Sequence, residues 1–118
     1  MRHLEDKLQI ACVRWFGYQW NEYSQLLHHS PNGGYRTATE GAKFKAMGVR
    51  AGFADLVLLL PRGGYHALFI ELKTPRGRQT PLQAKWQAAI EKQGYKYVIC
   101  RTFDEFRLII NEYIRLKL

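Results

Sequence analysis

Three residues carry the chemistry that this chain could perform: Asp55, Glu71 and Lys73. Glu71 and Lys73 stand two apart in the run Phe69-Ile70-Glu71-Leu72-Lys73. In an extended chain side chains alternate, so Phe69, Glu71 and Lys73 share one face while Leu68, Ile70 and Leu72 share the other. A carboxylate and an ammonium on a mostly apolar strand cost desolvation energy unless something compensates them. The apolar run that ends at Pro61 precedes this strand by so short a loop that the two must form an antiparallel hairpin. Taking Arg62-Gly63-Gly64 as a three-residue loop pairs Pro61 with Tyr65 and, counting inward, Asp55 with Glu71. A two-residue loop would set Asp55 opposite Ile70, on the other face. Opposed residues of a hairpin point the same way, so Asp55, Glu71 and Lys73 are expected to cluster. Two carboxylates and an amine suit a hard divalent cation, Mg²⁺ or Mn²⁺, which takes one or two carboxylates plus waters and phosphate oxygens. The Leu72 carbonyl, between the two side chains, is a further oxygen for it. Such a cation polarises a phosphodiester and helps deprotonate water, while the ammonium stabilises the nucleophile or the charge developing on phosphorus. An isolated Glu-x-Lys is more often an exposed ion pair of little worth, so the rest of the chain has to decide.

The elements that must position these groups follow from periodicity. Residues 3–20 read as a helix, with Leu4, Leu8, Ala11, Cys12 and Trp15 at helical spacing. Tyr23 to His28 reads as a short strand ending in the turn Pro31-Asn32-Gly33-Gly34. Residues 38–47 form a short helix stopped at Gly48. The continuous apolar run 54–60 predicts a central strand buried on both faces, followed by the strand 65–74. Residues 81–93 form a helix closed by Gly94, residues 95–101 a last strand, and residues 102–118 a helix with Thr102 or Asp104 as its cap. The order α-β-α-β-β-α-β-α predicts one α/β domain over residues 1–118, a small mixed sheet flanked by helices.

Composition narrows the partner. The 18 Lys and Arg against 10 Asp and Glu give a net charge of +8, which points to a polyanion, nucleic acid before membrane surface. No apolar run approaches the ~20 residues of a membrane span, and the acidic N-terminal stretch is unlike a signal peptide. Cys12 and Cys100 both lie in apolar segments and read as buried thiols of a reducing cytoplasm, too few for a zinc site or a disulfide framework. No membrane association and no nucleotide cofactor are expected.

The segments GVRAGFADLVLLL, FIELKT and LQAKWQAAIEKQGYKYVIC, taken in order, resemble the PD-(D/E)XK nuclease superfamily and, within it, the VRR-NUC (virus-type replication-repair nuclease) family. Asp55 follows Gly52-Phe53-Ala54 where the family usually has Gly-x-Pro-Asp, and Glu71-Leu72-Lys73 matches the Glu-x-Lys strand. Gln83 in LQAKWQ matches a helix glutamine, HHSPNGGYR resembles the Pro-Asn-Gly-Gly segment, and Glu5 in EDKLQ matches an N-terminal helix acid that faces the metal site in relatives. Ala54 departs from the family proline, which stiffens the approach to the strand and is not a ligand. The resemblance spans roughly residues 3–101. It implies a metal-dependent DNA endonuclease that attacks the phosphodiester in line with water, with Asp55, Glu71, Leu72 and Glu5 at the metal, Lys73 serving the nucleophile, and Gln83 assisting. It further implies a homodimer and a four-way (Holliday) junction as substrate. A nickase or flap/end nuclease of the same fold, and a non-catalytic basic nucleic-acid-binding module, remain open alternatives.

Phosphate contacts are expected from Arg76 and Arg78 first, in the Gly-containing loop just past Lys73, then from Arg50, Lys45, Arg36 and Lys43. Such contacts add to the salt dependence of binding rather than to sequence choice. Of the adjacent His28 and His29, one is expected to point outward toward DNA and the other to pack, with His29 and Asn32 as the named DNA contacts. A His–Asn nuclease reading fails because no second spaced His or Asn follows on a helix. The apolar stripe of the last helix, from Phe103 to Ile114, is expected mainly to fill the core, with any excess available to a dimer interface.

Overall fold

The computed structural model describes residues 2–31 and 37–118. Helix α1 spans Arg2–Gln19, strand β1 Leu27–His29, helix α2 Ala38–Ala46, strands β2 Leu56–Leu58 and β3 Leu68–Leu72, helix α3 Pro81–Lys92, strand β4 Lys96–Cys100 and helix α4 Phe103–Ile114. The strands form one mixed sheet in the order β1-β2-β3-β4, antiparallel except for the β3–β4 pair. The expected α/β architecture and element order are therefore present.

The sheet separates two apolar regions. On one face, Leu56, Leu58, Leu68, Ile70 and Leu72 pack with Cys12 and Phe16 of α1 and with Phe106, Ile110, Tyr113 and Ile114 of α4. On the other, Tyr97, Ala54 and Ile90 of α3 form a smaller cluster flanked by Phe69, Trp86, Tyr95 and Ile99. Burial of both strand faces is why residues 56–58 are continuously apolar. The catalytic candidates belong to the second face, at the end of β3 where the smaller cluster gives way to polar side chains.

One expected element differs. Asn21–Leu26 is a 3₁₀ helix, and only Leu27–His29 is strand. Trp20, Tyr23 and Leu26 recur every three residues, the period of a 3₁₀ turn, and all three pack on the larger core. Trp20 also stacks on Tyr23 and donates its indole N–H to Asn111 Oδ1 at 2.9 Å, tying this segment to α4.

The β2–β3 hairpin reaches the expected register by a different route. Leu56 pairs with Ile70 and Leu58 with Leu68, which sets Asp55 opposite Glu71 when continued by one residue. The turn itself is two residues, not three: Gly63 and Gly64 both have positive φ, 59° and 85°, and Arg62 and Tyr65 exchange backbone bonds around them. This is the backbone of a two-residue hairpin turn that glycine makes easily. Between the turn and the paired strands, the β2 side carries one residue more than the β3 side, and this bulge restores the register.

Candidate active site

Asp55 sits one residue before β2, its approach fixed by Gly52. That glycine has φ +81°, and a Cβ there would come within 2.9 Å of Leu82 Cγ, so the chain passes hard against the start of α3. Leu72 N–H donates to Asp55 Oδ2 at 2.7 Å. The aspartate thus takes the place that a backbone carbonyl of the neighbouring strand would have had, and its own carbonyl meets Ser30 N–H and His29 Nδ1. A carbonyl only accepts, so His29 Nδ1 carries the proton of that 2.8 Å bond.

Glu71 lies within the paired part of β3 and is fully buried. Its Oε1 accepts from Tyr97 Oη at 2.5 Å and from Gln79 Nε2 at 3.2 Å. Its Oε2, equally buried, has no hydrogen-bond partner among the described residues, and Lys73 Nζ stands 3.7 Å away. Lys73 is only 8% exposed, and its backbone N–H bonds to the Cys100 carbonyl, which holds the strand end in line. A buried carboxylate oxygen without a donor costs roughly 1–3 kcal/mol, which a bound cation would offset.

Burial raises the Asp55 carboxyl above its ordinary value. The Leu72 N–H opposes that rise, the Glu71 charge adds to it, and the charges of Lys73 and His29 oppose it. Tyr97 is driven far upward by burial and by its bond to Glu71, so it remains a hydrogen-bond donor. Asp55, Glu71 and Lys73 therefore feel one another electrostatically on one face of the hairpin, as their alternation requires. The donor set fits a hard cation: carboxylates on adjacent segments and one orphaned buried oxygen, with the thiol of neighbouring Cys100 buried in the larger core on the other face.

The other expected site residues divide. Leu72 is tied to Asp55 through its N–H, and its carbonyl lies at the same strand end. Glu5 is half-buried on the helix face of Cys12 and Phe16. That face packs on the opposite side of the sheet, and no three acidic, His or Cys side chains among the described residues form a metal-ligating group. Gln83 caps its own helix. Its Oε1 accepts from Thr80 N–H while Thr80 Oγ1 accepts from Gln83 N–H, a reciprocal helix cap. The glutamine that reaches Glu71 is Gln79, backed by Gln87 at 2.8 Å.

Arg76 and Arg78 are exposed on the loop after Lys73. That loop is held by Arg101, whose Nη1 donates to the carbonyls of Thr74 and Gly77. Lys45 and Arg50, also exposed, line a cavity of about 440 Å³ with Val49, Leu82 and Trp86. Arg50 donates to the Lys45 carbonyl, and Lys43 is exposed on α2. His28 and His29 are both exposed on the edge strand β1, so neither is the packed histidine that was expected. Arg36 and Asn32 lie outside the described residues.

Sequence reasoning missed Tyr97, Gln79 and Arg101. Tyr97 sits in an apolar strand and reads as core. The signals that could have separated the glutamines were Thr80-Pro81-Leu82-Gln83, a helix-start pattern that assigns Gln83 to the cap.

Known proteins agree with this geometry. The VRR-NUC domain profile matches residues 2–104. This chain belongs to the VRR-NUC family. A solved VRR-NUC domain protein is 35% identical to it, superposes with a TM-score of 0.85, and covers 96% of this chain and 89% of its own. Another VRR-NUC domain, at 22% identity and TM-score 0.58 over 92% of this chain and 96% of its own, shares the fold. No curated protein matches the sequence. Membership carries a nuclease-type function.

Proposed function

We propose that this VRR-NUC chain is a divalent-metal-dependent DNA endonuclease, acting as a homodimer on branched DNA such as the four-way junction. One observation supports the metal-dependent part above all others: Glu71 Oε2 is buried, has no hydrogen-bond partner among the described residues, lies 3.7 Å from Lys73 Nζ, and belongs to the residue that the hairpin register sets opposite Asp55. Asp55 and Glu71 would hold Mg²⁺ or Mn²⁺, with the Leu72 carbonyl as a further oxygen. The cation supplies Lewis acidity toward the phosphodiester and lowers the pKa of bound water.

The chain's own residues do the rest. Tyr97 and Gln79 fix the Glu71 carboxylate, and Leu72 N–H fixes that of Asp55. Lys73 sets its Nζ at the strand end, 3.7 Å from Glu71 Oε2, where it would stabilise an attacking hydroxide or the charge that develops on the scissile phosphate. Arg76, Arg78, Arg50 and Lys45 are exposed cations for the flanking phosphates, consistent with the net charge of +8. With no base-reading motif in the sequence, shape rather than base identity is the expected target. The homodimer and the junction preference rest on the family resemblance. Two sites related by a two-fold axis match paired nicks in a symmetric junction.

The test is cleavage of synthetic four-way junction, flap and linear duplex DNA with and without Mg²⁺, alongside sedimentation. Metal-dependent incision strongest on the junction by a dimer supports the proposal. Preference for flaps or nicked duplex moves it to another nuclease of the same fold. DNA binding without incision in any metal leaves a basic binding module.

A further inference from the structure

Two oxygens of one fully buried carboxylate have opposite surroundings. Glu71 Oε1 receives two donors, the Tyr97 hydroxyl at 2.5 Å and the Gln79 amide at 3.2 Å. Glu71 Oε2 receives none from the described residues. The donors arrive from different elements, Tyr97 from β4 and Gln79 from the loop before α3, so together they fix the rotation of the carboxylate plane. Gln79 is itself braced: the same amide group donates to Gln87 Oε1 at 2.8 Å, and Gln87 donates to Glu91 Oε2 at 3.4 Å. Tyr97 is 5% exposed and packs with Ala54 and Ile90, so its ring has no other place to go. A carboxylate held in this way offers a cation one oxygen rather than two.

We propose that Tyr97 is a positioning residue, seconded by Gln79, that makes Glu71 a one-oxygen ligand and thereby sets which divalent cation the site prefers. The inference rests on the metal reading above. Mg²⁺ and Mn²⁺ take single carboxylate oxygens in compact octahedral shells, whereas Ca²⁺ readily accepts a carboxylate through both oxygens in a larger, looser one. Occupying Oε1 with two hydrogen bonds closes the two-oxygen mode and disfavours Ca²⁺. Releasing Oε1 opens that mode and loosens the aim of Oε2.

Tyr97→Phe removes the hydroxyl and keeps the ring in its apolar cluster. Titration of the metal-free protein with Mn²⁺, followed by electron paramagnetic resonance, gives the Mn²⁺ affinity, and displacement by Ca²⁺ in the same sample gives the second. Tyr97→Phe is expected to weaken Mn²⁺ binding by about tenfold and to leave Ca²⁺ binding unchanged or tighter, so that the preference for Mn²⁺ falls. Gln79→Leu, at a half-exposed loop position, is expected to move the preference in the same direction by less, and it decides the matter if the tyrosine variant fails to fold. A Mn²⁺-to-Ca²⁺ preference within about twofold of the unsubstituted chain in these variants overturns the inference, and so does a fall in melting temperature with the preference unmoved. If the unsubstituted chain binds neither cation, the metal reading itself fails, and this inference with it.

Discussion

Two ion pairs in this molecule invite comparison. On α4, Arg107 meets Asp104 at 2.6 Å, with side chains 44% and 76% exposed. At the end of β3, Lys73 stands 3.7 Å from Glu71, with side chains 10% and 1% exposed. By distance the first pair is the better one. Yet it is one helical turn apart in sequence and bathed in solvent, where such pairs contribute about 0.2–1 kcal/mol. The second pair has been taken out of water, is too long for a hydrogen bond, and leaves a carboxylate oxygen with no donor among the described residues. A fold stabilised for its own sake would not keep that arrangement, because burying an incompletely satisfied charge is costly. What separates the pairs is desolvation without satisfaction, the condition in which a side chain retains affinity for something not yet there.

The sharpest way to break the comparison is to remove each pair in turn. Lys73→Ala and Glu71→Gln are expected to lower DNA cleavage by on the order of 10³-fold while leaving metal-free DNA binding intact, as read by incision and mobility-shift assays on the same substrate. If either variant cuts normally, the buried pair is structural.

Metal and pH sharpen the contrast further. Asp55 has its carboxyl raised from the ordinary 3.8, so its protonated form is favoured in the folded state. Below that ordinary value the effect is fully stabilising. It is lost as pH rises through the raised folded value, because the folded chain then releases a proton that the unfolded chain had already lost. The melting temperature of the metal-free protein should therefore carry a downward contribution over that window, and Asp55→Asn should abolish it. Saturating Mg²⁺ should raise the melting temperature of the unsubstituted chain, by about 2.7 kcal/mol of stability at a hundredfold excess over Kd, and Asp55→Asn should show no such rise. Differential scanning calorimetry across pH, with and without metal, reads both.

Arg76→Ala and Arg78→Ala test the exposed cations near the buried pair. Each is expected to reduce the slope of log affinity against log salt by about 1, with little change in cleavage at saturating enzyme. Unchanged salt slopes would remove that loop from the DNA interface. The smallest effect belongs to the exposed pair itself: Arg107→Ala should shift unfolding free energy by less than about 0.5 kcal/mol and leave cleavage alone, as measured by urea unfolding and the same incision assay.

Much of this site was legible before any coordinates, for reasons that differ by residue. Alternation alone places Glu71 and Lys73 together, since the period of a strand admits no other arrangement. Asp55 was matched to Glu71 by a loop count whose details were wrong. The turn is Gly63-Gly64, and the residue this leaves over sits as a bulge among Leu59, Leu60 and Pro61, where an unbroken apolar run gives no sign of it. Trp20, Tyr23 and Leu26 carried a period of three that propensity for strand had masked. Tyr97 was illegible because a buried tyrosine and a positioning tyrosine look alike until the partner of the hydroxyl is known.

A single cation shared between Asp55 and Glu71 is the core of the proposed function. Crystals of the protein grown with Mn²⁺, with diffraction recorded at a wavelength where manganese scatters anomalously, test this most directly. A single strong peak bonded to Glu71 Oε2 and to Asp55, weakened or absent in Glu71→Gln crystals, is the predicted result. No peak there, or manganese bound only at sites remote from the hairpin, would contradict the account.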